Sequence, residues 1–242
     1  MAEDKAILVV GAGSGTGGEI AKRFAREGYV ACVARRSADK LADLVAEIEG
    51  EGGRARAFSV DASEEGSVVA AFDTIEVEVG PVAVAVYNAG GFARASITET
   101  TVATYRGMWE QSALGAFLVG REAARRMVPR GEGTILFTGA SASLRGNANF
   151  AAFAAGKHAQ RVTAQSMARE LGPKGIHVAH VIIDGLIDVP RSRDMMADAL
   201  DALGEDGALK PELIADMYWM VHQQPRAAWT FEMDLRPFKE DW

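Results

Sequence analysis

The chain has 242 residues, 48% of them hydrophobic, which suits one α/β domain with a sizeable core. The formal net charge of -7 at pH 7 argues against nucleic acid or an anionic membrane as the main partner. The single cysteine, Cys32, excludes an intrachain disulfide, and with no signal peptide or membrane-spanning run in the sequence we expect a soluble cytoplasmic protein.

The first predicted element is a short buried strand, Ala6 to Val10, which leads through a glycine turn into an amphipathic helix. The turn holds five glycines: Gly11, Gly13, Gly15, Gly17 and Gly18. Glycine permits positive φ and lets backbone N–H groups come close to a ligand. A helix N-terminus favours phosphate, because its free N–H groups and its dipole attract negative charge. This position in the chain predicts a dinucleotide site, and a flexible turn is the alternative.

Strands and helices then alternate along the chain. Helices are predicted at about 38–49, at about 101–127 and at 150–171, and a further helix is predicted to start after Ser63, which would be its N-cap. The strands that alternate with them are predicted at Tyr29–Ala34, Ala55–Val60, Val82–Tyr87, Thr134–Thr138 and Ile176–Ile183. This order indicates βαβ units and a parallel sheet with both faces covered.

The pattern weakens beyond Asp184. A helix is predicted over Pro190–Leu203, a second helix ends near His222, and alternating apolar residues in 229–242 predict a last strand. The C-terminal region is rich in aromatic residues, which indicate either core or a subunit interface: Trp219, Trp229, Phe238 and Trp242.

Up to about Pro190 the sequence resembles the short-chain dehydrogenase/reductase family. Gly11 to Gly17 match its cofactor glycine pattern, Asn88-Ala89-Gly90 match the motif after its fourth strand, Lys157 matches its catalytic lysine, and Asp184-Gly185 stand where it usually has Pro-Gly. The resemblance implies one domain, 1–242, with a Rossmann-like doubly wound parallel sheet of about seven strands and helices on both faces. It also implies substrate-lid helices at about 190–225, and a last strand and tail at about 228–242.

The end of the second strand favours NADP(H) over NAD(H). Arg35 and Arg36 stand there with no acidic residue, and the guanidinium fork suits a phosphate group; two solvated charges are the alternative. The resemblance places Asp61 and Ala62 at the adenine and Asn88-Ala89-Gly90 at the adenosine ribose. The full expected set of cofactor-binding residues is Gly11, Gly13, Ser14, Gly15, Thr16, Gly17, Arg35, Arg36, Asp61, Ala62, Asn88, Ala89, Gly90, Lys157, Gly185 and Ile187. No metal site is expected.

The catalytic positions depart from the family pattern. The family pairs a tyrosine with a lysine one helical turn later, but the chain has Phe153 before Lys157, and phenylalanine exchanges no proton. Three further family positions are also changed: the serine maps to Ala140, the helix asparagine to Ser112 and a threonine after Pro-Gly to Val189. The ribose contact that the resemblance implies for Lys157 does not depend on the tyrosine.

Three functional interpretations follow. The first is an NADP(H)-dependent oxidoreductase with a substitute proton donor, for which Ser141 and Ser143 are preferred over Tyr87 and His158. The second is an inactive NADP(H)-binding sensor or interaction protein. In the third, the substrate needs no protein acid, because its reduced product is a stabilised anion or because water supplies the proton.

We expect a small, partly hydrophobic substrate, either a carbonyl or alcohol or an activated alkene. Four apolar residues border the expected site or belong to the core: Phe92, Phe150, Met195 and Met196. By analogy with the family, the chain is expected to form a homodimer or homotetramer through its long helices.

Overall fold

Short apolar runs form a seven-stranded parallel sheet in the computed structural model, which describes residues 4–240. The strands are β1 Ala6–Val10, β2 Val30–Arg35, β3 Arg54–Ser59, β4 Val82–Tyr87, β5 Gly133–Thr138, β6 Ile176–Ile183 and β7 Glu232–Leu235. Every residue of β1 and β6 is buried, as the continuous apolar runs of a sheet covered on both faces require. The predicted fold class is confirmed.

Eight α-helices connect and cover these strands in the described part of the chain. They are α1 Thr16–Arg26, α2 Ala42–Gly50, α3 Glu65–Glu78, α4 Val102–Trp109, α5 Gly115–Arg130, α6 Ala151–Leu171, α7 Pro190–Leu203 and α8 Pro211–His222. Apolar faces of α3, α5 and α6 pack against one side of the sheet, and those of α1, α2 and α8 pack against the other. The predicted apolar face of α1 (Ile20, Ala21 and Phe24) is fully buried.

The strand order is β3-β2-β1-β4-β5-β6-β7. The chain leaves β1 toward one edge, through β2 and β3, and then returns to place β4 on the other side of β1. The connections on the two sides of this point run to opposite faces, which opens a crevice at the carboxyl ends of β1 and β4. The fold therefore places the glycine turn after β1 beside the Asn-Ala-Gly motif after β4.

Three local predictions need correction. Ser63 is not an N-cap: α3 begins at Glu65, and the Ser63 hydroxyl donates instead to Asp61 Oδ1 at 2.6 Å. The long helix predicted at 101–127 contains a π-helical turn, Glu110–Leu114, between α4 and α5. The last strand has only four residues. Residues two apart in a strand face the same side, but Phe231 packs on the α5–α6 side and Met233 on the α8 side, so the predicted alternation does not extend back to Phe231. Trp242 lies outside the described residues.

Other aromatic residues near the C-terminus pack inward. Trp219 meets Phe24 edge to face at 5.1 Å between ring centroids, and Trp229 stacks on His177 at 4.8 Å. Phe238, in contrast, is 78% exposed. Cys32 is fully buried, and burial raises the pKa of its thiol to about 12, as expected of a small core residue. Among residues 4–240, no helix combines the length and the apolar character that a bilayer crossing requires.

Candidate active site

The turn between β1 and α1 brings glycine backbone to the floor of a cleft. Gly11 has a φ of +90°, and a side chain there would overlap the backbone of Ala89, so this glycine is required by the packing of two adjacent strand ends. A Cβ at Gly13 would be tolerated, since it would lie in ordinary contact with Arg35 Nη1 at 3.7 Å. The α1 N-cap, Gly15, provides no side-chain cap, which leaves the first two N–H groups of the helix free for an anion.

The cleft has a volume of about 910 Å³ and runs along the carboxyl ends of the central strands. Thirteen of the predicted cofactor-binding residues line it: Gly11, Gly13, Ser14, Gly15, Thr16, Gly17, Arg35, Arg36, Asp61, Ala62, Asn88, Ala89 and Gly90. Three others lie outside that lining, namely Lys157, Gly185 and Ile187. A side chain at Gly185 would meet Pro237, and Ile187 forms a bridge with Leu209.

Cations are concentrated in this cleft. Arg35, Arg36, Lys40 and Arg191 all line it, and none of them makes an ion pair within the described residues, although ion pairs are common elsewhere on the surface. The carboxylate of Asp61 accepts hydrogen bonds from the Ser63 hydroxyl and backbone, and these lower its pKa. The four cations outnumber the two carboxylates that line the cleft, those of Asp61 and Glu110, so the lining carries a net positive charge that suits an anionic ligand.

Two of these four cations were missed by the sequence interpretation. Lys40 lies in a 3₁₀ turn, Ala38–Leu41, that folds back over the cleft after β2. Arg191 lies in the first turn of α7 and lines the cleft beside Val189, whose Cγ1 is 3.4 Å from the side-chain position of Gly15. Spacing in the sequence carries no signal for Arg191, because more than 150 residues separate it from the glycine turn.

Asn88 ties three strand ends together. Its Nδ2 donates to the Gly11 carbonyl at 3.0 Å, and its Oδ1 accepts from the Thr138 hydroxyl at 2.9 Å. The single proton of Thr138 is thereby used, so the Tyr218 hydroxyl at 2.7 Å donates to Thr138 Oγ1. Asn88 thus holds β1, β4 and β5 in register around the cleft.

Lys157 lies beneath the far end of the cleft and is almost completely buried. Its Nζ donates to the Thr138 carbonyl at 2.8 Å and to Gln160 Oε1 at 3.1 Å. Nζ also lies 3.5 Å from the side-chain position of Gly90, a cleft residue. Burial lowers the pKa of this ammonium group to about 8, because a charged form is costly away from water.

An aromatic cluster surrounds Phe153, which occupies the position of the family's catalytic tyrosine. Phe153 precedes Lys157 by one turn and lies on the same face of α6. Its ring centroid is 5.6 Å from that of Phe92, which in turn is 5.7 Å from that of Phe150. Phe92 is 56% exposed. We call these three residues the aromatic trio.

Three of the four proposed substitute donors are either fully buried or bonded to the backbone. Ser143 is fully buried, and its Oγ accepts the backbone N–H of Ala140. The Tyr87 hydroxyl donates to the Gln111 carbonyl, and His158 Nδ1 is bonded to the Ala154 carbonyl. Ser141 is half-buried, and its hydroxyl has no partner within the described residues. The structure therefore leaves Ser141 as the more available of the two preferred serines.

Asp184 is held by arginines from two other segments. It is buried at the end of β6, and its carboxylate contacts Arg145 Nη2 at 3.3 Å and Arg236 Nη2 at 3.1 Å. Its backbone N–H donates to the Leu235 carbonyl. A proline at this position would lose that N–H, so the departure from the usual Pro-Gly provides one further link between the end of β6 and the last residue of β7.

Comparisons with known proteins agree with this geometry. A family model described as short chain dehydrogenase matches residues 5–199. The 3-oxoacyl-[acyl-carrier-protein] reductase MabA of Mycobacterium tuberculosis is 32% identical over 208 residues, 85% of this chain and 76% of that protein. A 2-dehydro-3-deoxy-D-gluconate 5-dehydrogenase of Formosa agariphila is 31% identical over 175 residues, 72% of this chain and 66% of that protein.

A solved structure agrees over almost the whole length. The crystal structure of a short-chain dehydrogenase from Rhodopseudomonas palustris matches with a TM-score of 0.84 and 45% sequence identity, and the match covers 97% of this chain and 99% of that one. The chain belongs to the short-chain dehydrogenase family, whose members are oxidoreductases that bind nicotinamide cofactors.

Proposed function

We propose that the protein is an NADP(H)-dependent oxidoreductase that transfers a hydride to or from a small, partly hydrophobic carbonyl, alcohol or activated alkene. The observation that carries the choice of cofactor is the group of four cations without ion-pair partners in one cleft. NADP(H) carries one phosphate more than NAD(H), and arginine binds phosphate through two parallel, charge-assisted hydrogen bonds.

The residues in and beside the cleft have three roles in this proposal. Arg35, Arg36 and Lys40 lie at the end of β2 and bind the extra phosphate of the adenosine half. The free N–H groups at the start of α1 bind the pyrophosphate, with Arg191 contributing a positive charge from α7. Lys157 lies beside Gly90 and holds the nicotinamide ribose. The cofactor, when bound, supplies the hydride.

The proton that accompanies hydride transfer comes from a source other than tyrosine. Phe153 has no exchangeable proton, and the hydroxyl of Ser141 is more available than that of Ser143. Phe153 is also the observation that favours a second candidate function. A protein that retains the cofactor cleft but lacks the usual acid could act as an NADP(H)-binding sensor or an interaction protein without turnover.

Two further parts of the proposal concern assembly and location. Helices α4 to α6 expose several large apolar side chains, including Val102, Trp109 and Val162, and we propose that they form the interface of a homodimer or homotetramer. The fully buried single cysteine fits a cytoplasmic location.

The first experiment is a titration of purified protein with NADPH and NADH, followed by nicotinamide fluorescence. We expect micromolar binding of NADPH, and we expect the double change Arg35→Ala, Arg36→Ala to weaken it about 100-fold, because two charge-assisted hydrogen bonds are lost. Binding of NADH should change much less. The control is Arg169→Ala, Arg226→Ala, which removes the same charge outside the cleft. Binding of neither nucleotide would refute the proposed function.

A further inference from the structure

Aromatic side chains lie close to Gly90 and Lys157, where the proposed function places the nicotinamide end of the cofactor. Phe92 follows Gly90 by two residues, a reach of no more than about 7 Å, and Phe153 lies one helical turn from Lys157. The two rings are tilted by 59° to each other, and Phe92 is largely exposed. Such an arrangement can accept a flat ring in edge-to-face or offset contact.

The same region carries positive charge but few available protons. Lys157 Nζ already donates to two oxygen atoms, and the Arg94 guanidinium lies 5.8 Å from the centroid of the Phe150 ring. Two of the candidate donors, Tyr87 and Ser143, are fully buried, and Tyr87 gives its only hydroxyl proton to a backbone carbonyl. The site can thus stabilise a negative charge that develops on a product more readily than it can neutralise that charge with a proton.

We propose that the physiological substrate is a planar quinone, bound against the aromatic trio and reduced by two electrons without a protein proton donor. This inference rests on the proposed function and specifies its substrate class. It also selects the third of the interpretations that the sequence allows, in which the reduced product is a stabilised anion.

The chemistry favours a quinone over an ordinary ketone. The C4–H bond of the reduced nicotinamide breaks, its hydrogen and electron pair form an O–H bond at one quinone oxygen, and the other oxygen becomes a phenolate. One proton from water then completes the hydroquinone, and the cofactor leaves oxidised. A phenol has a pKa of about 10, whereas an alkoxide from a saturated ketone is nearly as basic as hydroxide, since water has a pKa of about 16. Only the alkoxide requires an acid at the moment of transfer.

The test compares 1,4-naphthoquinone with 1-tetralone, a monoketone with the same bicyclic skeleton. NADPH oxidation is followed by absorbance, and the reaction of NADPH with each compound without protein is subtracted. We expect kcat/KM for naphthoquinone to exceed that for tetralone by at least about 100-fold, the smallest contribution usual for a general acid. The only cysteine is fully buried, which limits arylation of the protein by the quinone.

Two variants test the role of the aromatic trio. Phe92→Ala should raise KM for naphthoquinone about tenfold through loss of one ring contact, with the Kd for NADPH unchanged. The matched control is Phe238→Ala, which removes an exposed ring outside the trio. Phe153→Tyr should increase tetralone reduction by about 100-fold and so reduce the preference for the quinone, because it supplies the missing acid.

The outcomes separate this inference from the proposed function. Tight NADPH binding with no naphthoquinone reduction above background would refute the quinone proposal and leave the cofactor proposal standing. Comparable rates with both compounds in the unmodified protein would also refute it, since a protein acid such as Ser141 would then be active. Failure to bind NADPH at all would refute both.

Discussion

At the scale of single residues, Lys157 combines a proposed role in cofactor binding with a cost in stability. The ammonium group is buried against the Thr138 carbonyl and the Gln160 amide, and burial lowers its pKa from 10.5 to about 8. A shift of this size corresponds to roughly 3 kcal/mol in favour of the neutral form. His180, whose charge would also act on Lys157, is neutral at pH 7, because burial lowers its pKa to about 4.

We therefore expect Lys157→Met to stabilise the protein without ligand while weakening NADPH binding. At pH 7 the free energy of unfolding should rise by about 2 kcal/mol, because about 1 kcal/mol is returned through lost hydrogen bonds. The folded-state pKa lies below the unfolded one, so the penalty is fully present below pH 8 and is lost as the pH rises toward 10.5. The advantage of the variant should shrink over that interval.

Urea unfolding at several pH values measures this difference directly. Lys174→Met is the control, since Lys174 is exposed and its pairing with Glu170 lies on the surface. A Lys157→Met protein that is less stable than the parent at pH 7 would contradict the expectation. It would mean that the hydrogen bonds of the ammonium group outweigh its loss of hydration.

At the scale of elements, α7 joins the glycine turn to the outer part of the site. Val189 packs toward Gly15, and Arg191 lines the cleft. Arg193 anchors the helix from outside, where its guanidinium forks onto Asp188 and also contacts Asp201 at 2.6 Å. The backbone is non-helical at Met196, where the helix is kinked. The element thus has one end at the cleft and a bend near its middle.

This arrangement gives an expectation for hydrogen exchange. NADPH should slow amide exchange in residues 189–203, because a bound phosphate holds Arg191 and with it the start of α7. Arg193→Lys should increase exchange there about threefold, since lysine keeps the charge but loses the fork. Helix α3, which is remote from Arg193, should exchange at the same rate in both proteins. Unchanged exchange in 189–203 on NADPH binding would show that α7 does not respond to the cofactor.

The elements also show what the sequence can and cannot predict. The bounds of β1, β4 and β6 agree with the prediction, because apolar runs with clear turn residues at their ends leave one solution. The π-helical turn at Glu110–Leu114 could not be found, since its residues suit an α-helix equally well. Ser63 was misassigned because serine bonds either to a helix N-terminus or to a nearby aspartate, and only the fold decides which.

At the scale of the whole molecule, topology explains which site residues were predictable. Asn88 and the glycine turn follow strands that lie side by side, so parallel-sheet geometry brings them together. Arg191 comes from a helix whose path depends on packing, and no periodicity predicts that path. The predicted alternation of apolar residues along the last strand fails at Phe231 for the same reason, since tertiary packing decides which face of the sheet this side chain meets.

The exposed apolar side chains on α4, α5 and α6 give an expectation for the assembled protein. In a two-fold interface both subunits contribute the same residues, so Val162→Glu would place two carboxylates there. We expect this change to weaken association by at least about tenfold, because burial of an unpaired charge is costly. Sedimentation equilibrium measures this against the monomer mass of 25.7 kDa. The control is Val77→Glu on α3, where the valine is even more exposed than Val162 and outside the proposed interface. An unmodified protein that sediments as a monomer at micromolar concentration would rule out assembly through these helices, and the apolar side chains would then need another partner.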